Sequence, residues 1–121
     1  AKQFADRTHF VHLRSCYIFT NGNFTEASHL GGRGHLIELC RIFEKAEQEG
    51  KCNSGRRLPM RVDHGMTFTD EPGGVFDESN HGHNAGYTLL GRMFAMGQIQ
   101  GVIATVDDEL GIEYKQPGFY D

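Results

Sequence analysis

Length, composition and charge limit what this chain can be. With 121 residues, of which 38% are hydrophobic, it can bury one core but is too short for two ordinary domains. A formal net charge of −4 argues against nucleic acid or an anionic membrane as the main partner, and no apolar run approaches the roughly 20 residues of a membrane span. Three cysteines without a C-x-x-C pair predict a reduced, cytoplasmic protein.

The first predicted element is a strand. Residues 1–7 are polar and indicate a lead-in, such as the last turn of a helix, and residues 8–15 then alternate so that Phe10, His12 and Arg14 share one face. An imidazole and a guanidinium side by side near a strand end are suited to a metal and an oxyanion. The alternative, which this stretch alone favours, is a half-buried strand with one hydrogen-bonded histidine.

A connection over residues 16–33 follows the strand. Asn21-Gly22-Asn23 is a strong turn signal between two short apolar stretches and predicts a small hairpin. His29 precedes the glycine pair Gly31-Gly32, so it could reach a site, or it could be an ordinary exposed loop histidine.

The next stretch, residues 34–49, has the periodicity of a helix. Its apolar residues, among them Leu36, Cys40 and Phe43, form one stripe, and Gly50 is suited to end the helix. Cys40 lies on this stripe and is interpreted as core packing. Since a strand precedes this helix and another follows it, we expect a βαβ unit with parallel strands.

The second strand of that unit ends in chemically active residues. Leu58, Met60 and Val62 alternate with polar residues, and Asp63, His64 and Gly65 follow directly. A carboxylate beside an imidazole suits a borderline divalent metal or a general acid–base site. The carboxyl end of a parallel strand is where such residues gather, although a surface loop could show the same pair.

A long loop and a second helix complete the predicted elements. Residues 66–85 are rich in turn formers and are expected to cover a site; His81 and His83 there resemble a metal clamp but are more simply an exposed loop.

A helix is predicted to open at Asn84–Thr88 and to stop at Gly97, with Tyr87 at its positive end facing a substrate or acting as an aromatic staple. Residues 98–106 are interpreted as a short extended or helical segment, and residues 107–121 as a polar tail.

Taken together, these motifs resemble the mannonate dehydratase family. The resemblance runs from about residue 8 to residue 103, and its motifs stand in the family's order. They are His12-Leu13-Arg14, Glu26-Ala27-Ser28-His29-Leu30, Pro59-Met60-Arg61-Val62-Asp63-His64-Gly65, Asn84-Ala85-Gly86-Tyr87-Thr88 and Gly91-Arg92.

The resemblance implies an α/β fold, namely a fragment of a (β/α)8 TIM barrel of the xylose-isomerase-like kind. Residues 1–121 would be the C-terminal portion of a single barrel domain, about two β/α units with long loops, and 107–121 its tail. The start at Ala1 without a methionine also suggests a fragment. We therefore expect the isolated chain to be inactive, and to be ordered through a homo-oligomer or the missing part.

The resemblance also implies a reaction: loss of water from D-mannonate, giving 2-keto-3-deoxy-D-gluconate, in hexuronate and glucuronate breakdown. The implied cofactor is Mn²⁺ or Fe²⁺, bound by His12 and Asp63 together with a histidine and a cysteine from earlier strands. His9 is a rival to His12, but strand alternation places it on the face opposite Arg14.

The remaining site residues are assigned by the same resemblance. His64 and Tyr87 are the catalytic acid–base pair, in either order. The substrate-binding residues are Arg14, Arg61 and, more weakly, His29. Two other hypotheses remain: another metal-dependent sugar lyase or isomerase barrel, which would not need the Tyr87 motif, and a non-catalytic packing fragment.

Overall fold

The computed structural model describes residues 1–52, 57–66 and 88–113, and the fold is given for those ranges. Two helices, four short strands and one 3₁₀ turn are found there. In chain order they are the 3₁₀ turn Ala5–Arg7, β1 Val11–Leu13, β2 Cys16–Ile18, β3 Phe24–Glu26, α1 Leu36–Gln48, β4 Met60–Val62 and α2 Leu89–Leu110. The architecture is that of a small α/β unit.

Strands β1 and β4 form a parallel pair with α1 between them in the chain, which confirms the predicted βαβ order. In the register, His12 stands opposite Arg61 and Leu13 opposite Val62. Leu13 and Val62 are buried in the main core, whereas His12 and Arg61 are exposed. The alternation of a strand therefore separates an apolar face towards the helices from a polar face. Core residues are Leu13, Leu36, Cys40, Val62, Ala95, Ile99, Val102 and Val106.

The predicted hairpin is confirmed as the antiparallel pair β2–β3. Its turn is closed by hydrogen bonds from Phe19 N–H to the Asn23 carbonyl at 2.8 Å and from Gly22 N–H to the Phe19 carbonyl at 3.0 Å. Gly22 has a φ of 87°, a left-handed conformation that glycine adopts without strain. The hairpin brings Glu26 opposite Cys16, two residues beyond Arg14.

The first helix matches its prediction closely. α1 buries the stripe that includes Leu36, Cys40 and Phe43, and Gly50 follows its end with a φ of 65°. Cys40 is fully buried among core side chains, which confirms its interpretation as core packing.

The second helix differs from its prediction. α2 does not stop at Gly97 but continues to Leu110, and Gly111 ends it in the left-handed conformation. Glycine disfavours a helix interior by about 1 kcal/mol, but the packing of α2 against α1 and the core outweighs that local preference. The prediction of a tail over 107–121 is therefore wrong for residues 107–110, which are helical, and residues 114–121 lie outside the described ranges.

α2 is long and apolar as a whole, although its individual apolar runs are short. Within the described ranges it is the helix whose length and mean hydropathy of 1.2 would suffice to cross a membrane, judged by length and composition only. Glycine, alanine and glutamine interrupt its apolar runs, which is why we expected no such segment. One face packs against α1 and the core, while several large apolar side chains near its N-terminal half are exposed: Leu89, Leu90, Met93, Phe94 and Met96.

Candidate functional site

The site begins with a histidine and a carboxylate at the carboxyl ends of the parallel strands. Asp63 directly follows β4, and its N–H donates to the Leu13 carbonyl of β1 at 3.0 Å. That bond holds residue 63 beside the end of β1, so His12 Nδ1 lies 3.7 Å from Asp63 Oδ1. The side chain of His12 is 48% exposed, so the pair remains accessible. The structure therefore brings together the two side chains that the sequence suggested for a metal.

His64 lies against two carboxylates. Its Nε2 is 3.8 Å from Asp63 Oδ2, and its Nδ1 is 3.4 Å from Glu26 Oε1. The ring is largely buried, with 15% of the side chain exposed. Because both ring nitrogens face acidic oxygens, the orientation of the imidazole is constrained from two sides.

Glu26 is a member of this site to which the sequence analysis assigned no role, although it opens one of the family motifs. Its side chain is only 6% exposed. Arg14 Nε donates to its two carboxylate oxygens at 3.1 and 3.2 Å, and Arg14 Nη2 also pairs with Oε1. These hydrogen bonds raise the pKa of the Arg14 guanidinium above its ordinary value. The available signal was the turn at Asn21-Gly22, because hairpin register decides which β3 residue returns to the end of β1.

The guanidinium groups of Arg14 and Arg61 have different partners. Arg14 is bound to Glu26 and lies over the Phe24 ring, with 5.3 Å from its guanidinium carbon to the ring centroid. Arg61 stands opposite His12 in the parallel register, and its Nε donates to the Val62 carbonyl at 3.4 Å. Arg61 therefore lies on the polar face of β4 beside the His12–Asp63 pair.

His29 lies in the interior rather than on that polar face. It is 1% exposed, and its Nε2 lies 2.9 Å from the Leu13 carbonyl. Its backbone N–H donates to Gln98 Oε1 of α2 at 2.9 Å. In this position the ring contacts the end of β1 from the buried side, so it is not accessible to a substrate.

Gly65 is required by a close contact rather than by an unusual turn. A Cβ placed on Gly65 would lie 2.4 Å from the Gly91 carbonyl oxygen, and a Cβ on Gly91 would lie 1.9 Å from the Met66 carbonyl oxygen. The backbone that follows His64 thus packs directly on the first turn of α2. Gly65 is not among the described glycines with positive φ, so this contact and not a left-handed turn accounts for the glycine.

The donor set fits part of a metal site. An imidazole nitrogen and a carboxylate oxygen are ligands that Mn²⁺ and Fe²⁺ accept. Within the described ranges there is no group of three or more His, Cys, Asp or Glu side chains that could hold a metal ion. His12 and Asp63 therefore supply at most two ligands from this part of the chain. The other sequence candidates, Tyr87, His81 and His83, lie outside the described residues.

Comparisons with known proteins agree with one another. The family model for D-mannonate dehydratase (UxuA) matches residues 1–113. Mannonate dehydratase 2 of Agrobacterium fabrum is 35% identical over 112 residues, which cover 91% of this chain and 26% of that protein. The mannonate dehydratase of Saccharophagus degradans is 32% identical over 109 residues, 88% of this chain and 26% of that protein. The mannonate dehydratase of Brucella canis is 32% identical over 108 residues, which cover 88% of this chain and 25% of that protein. The chain thus spans about a quarter of the length of these relatives.

Proposed function

This chain belongs to the D-mannonate dehydratase family, and from that premise we propose that it carries part of the active site of such an enzyme. The proposed reaction is loss of water from D-mannonate, giving 2-keto-3-deoxy-D-gluconate. The observation that carries the proposal is the 3.7 Å approach of His12 Nδ1 to Asp63 Oδ1, with His64 beside them. Because the chain matches only a quarter of its relatives, the complete reaction is assigned to a longer protein and a share of the site to this chain.

We propose His12 and Asp63 as two of the ligands of a divalent cation, Mn²⁺ or Fe²⁺. The proton on C2 of a sugar acid is weakly acidic, and its removal develops negative charge on the adjacent carboxylate. A bound cation would supply electrostatic stabilisation of that charge. Both side chains lie at the carboxyl ends of parallel strands, which supports this assignment.

His64 is the proposed acid–base residue within the described ranges. Glu26 lies at its Nδ1 and orients the ring, while Nε2 faces the His12–Asp63 pair. Nε2 is therefore the atom placed to exchange a proton with a substrate held there. Tyr87 is the proposed second acid–base group, from the resemblance alone. One of the two takes the C2 proton, and the other assists departure of the C3 hydroxyl.

Of the two arginines, Arg61 is the better candidate for the substrate carboxylate. It shares the polar strand face with His12. Arg14 is already held by Glu26, so we propose that it acts on substrate through the position of that carboxylate.

The fold proposed for the longer protein is a (β/α)8 barrel. The parallel β1–β4 pair, with its apolar face towards α1 and α2 and polar residues at the carboxyl ends, supports this proposal. A homo-oligomer and a cytoplasmic location remain predictions from the sequence.

A dehydration assay tests the proposal. D-mannonate and Mn²⁺ would be supplied to a full-length protein that contains this chain, and product formation followed for the wild type and for His64→Gln and Asp63→Asn. We expect kcat to fall by about 100-fold or more in His64→Gln, the scale of a lost acid–base group. Asp63→Asn should lower activity at least as far, because it removes a charged oxygen ligand of the cation. His35→Gln is the control, because His35 is exposed at the start of α1. Wild-type turnover in either site variant would contradict the proposal.

A further inference from the structure

We propose that His29 is a positioning residue that ties the ends of β1 and β4 together and so sets the distance between His12 and Asp63. This inference rests on the proposed function, because that function gives the His12–Asp63 distance its importance. The described hydrogen bonds of His29 go to the Leu13 carbonyl and to Gln98, and not to the side chains of His12 or Asp63. His29 acts instead through the backbone carbonyl between them.

That carbonyl belongs to Leu13, the residue directly after His12. It accepts two hydrogen bonds, from the Asp63 N–H at 3.0 Å and from His29 Nε2 at 2.9 Å. A single oxygen thus joins the end of β1, the end of β4 and the segment that carries His29. Movement of the Leu13 carbonyl would move His12 on one side and the Asp63 backbone on the other.

The backbone of His29 is fixed as firmly as its ring. Its N–H donates to Gln98 Oε1 at 2.9 Å, and Gln98 lies on α2, which packs on the same core. The residue is 1% exposed, so the ring has little freedom to turn. His29 therefore links the two strand ends to a long helix, and it touches neither solvent nor substrate in this position.

The hydrogen-bond pattern also shows that Nε2 of the His29 ring carries a hydrogen. A carbonyl oxygen only accepts, so Nε2 must carry the hydrogen that it donates to Leu13. In the neutral ring Nδ1 is then an acceptor, and within the described part of the chain it is buried without a hydrogen-bond partner. A buried acceptor without a donor opposes folding, so the ring stabilises the fold less than its burial suggests. Its main contribution is the placement of the Leu13 carbonyl.

Two substitutions separate placement from stability. His29→Leu removes the donor and the unpaired acceptor at similar volume, whereas His29→Gln retains an N–H donor at the far end of the side chain. Amide hydrogen exchange in a full-length protein that contains this chain is the readout. In His29→Leu we expect exchange of the Asp63 N–H to accelerate by about tenfold, while the α1 amides of Cys40 and Phe43 keep their wild-type rates. His29→Gln should restore most of the protection at Asp63.

Other results would overturn the proposal. They are unchanged exchange at Asp63 in His29→Leu, or equal acceleration at Asp63 and throughout α1, which is the signature of a merely structural residue. The nitrogen chemical shifts of His29 in the wild type at pH 8 identify the tautomer of the ring and so test the proposal without a variant. The Nε2–H tautomer is expected, and the Nδ1–H tautomer would overturn the proposal.

A titration with Mn²⁺ alone links this inference to the proposed function. Paramagnetic broadening of the His12 signals would report binding, and the apparent Kd should rise by about 10-fold or more in His29→Leu and recover in His29→Gln, as for groups that orient metal ligands. Equal Kd values in the wild type and His29→Leu would overturn the positioning role. Absence of Mn²⁺ binding in the wild type would contradict the metal role of His12 and Asp63, and the exchange rates would still decide the role of His29.

Discussion

Glu26 Oε1 lies 3.4 Å from His64 Nδ1, although one residue ends a hairpin strand and the other follows the parallel strand β4. The same carboxylate binds the Arg14 guanidinium through both of its oxygens. Glu26 therefore couples an arginine on β1's extension to the proposed acid–base histidine. The Glu26 side chain is nearly buried whereas that of Arg14 is 36% exposed, so solvent screens this coupling in part.

Replacing Glu26 with glutamine should weaken both contacts. Glutamine keeps the size of the side chain but lacks the charge that pairs with Arg14. We expect the free energy of unfolding to fall by about 1 kcal/mol, since Arg14 is partly exposed and the ion pair is partly screened. Urea unfolding measures the change. Glu38→Gln is the matched control, because Glu38 pairs with Lys2 at an exposed position; an equal loss in both variants would contradict a special role for Glu26.

The buried Glu44 predicts a pH dependence of stability. Arg57 contacts Glu44 at 2.8 Å and Asp107 at 3.2 Å, between α1 and α2, and Glu47 at 3.4 Å. Burial, opposed by Arg57 and reinforced by the neighbouring carboxylates, raises the pKa of Glu44 to about 7. Between pH 4.5 and about 7, Glu44 thus keeps its proton in the folded state, whereas in the unfolded state it has released that proton. The contribution of Glu44 to the free energy of unfolding is therefore fully present below pH 4.5 and is lost as the pH rises through about 7.

Unfolding with urea between pH 5 and 8 tests this pH dependence. The wild type should lose about 1–3 kcal/mol over that window, and Glu44→Gln should show a flatter profile. Glu109→Gln is the control, because Arg41 lowers the pKa of Glu109 and so places its titration below the window. A wild-type profile as flat as that of Glu44→Gln would contradict the prediction.

Two glycines of α2 should respond to alanine with opposite signs. At Gly91 a Cβ would lie 1.9 Å from the Met66 carbonyl oxygen, a backbone atom that cannot move alone. We expect Gly91→Ala to lower the free energy of unfolding by about 1–3 kcal/mol, as overpacking does. At Gly97 a Cβ would meet no atom of another group within 4 Å in the described part of the chain, so Gly97→Ala should stabilise by about 0.5–1 kcal/mol through helix propensity. Thermal unfolding compares them; a stabilised Gly91→Ala would show that the approach to Met66 is not tight.

The cysteines should differ strongly in reactivity. Burial raises the pKa of the Cys40 thiol to about 12, and Cys40 is fully enclosed in the core. Cys16 is partly exposed, with its pKa raised by desolvation and by Glu26. Alkylation by iodoacetamide at pH 8, followed by peptide mass spectrometry, should label Cys16 on the order of 100-fold faster than Cys40, because the thiolate is the reactive form. Equal rates in the folded chain, with urea-unfolded chain as reference, would contradict this packing.

Local patterns were sufficient for much of this fold. The alternation at β1 and β4, the turn at Asn21-Gly22 and the apolar stripe of α1 each depend on neighbours in the chain, so the βαβ order and the hairpin followed from the sequence. The family resemblance implied that His12 and Asp63 share a site, and the parallel pairing places both at the same edge of the sheet. The sequence also determined the family, through motifs in a fixed order.

Tertiary structure decided what depends on contacts between distant segments. Gly97 is a helix stop by propensity, yet packing against α1 carries α2 on to Leu110. His29 looks like any loop histidine in the sequence, and only its enclosure behind Leu13 and Gln98 shows what its nitrogens contact. Glu26 became part of the site because hairpin register returns it to Arg14 and His64. The physical reason is common to all three: burial and ion pairing depend on distance in space, and one sequence read along its length reports only the neighbours on the chain.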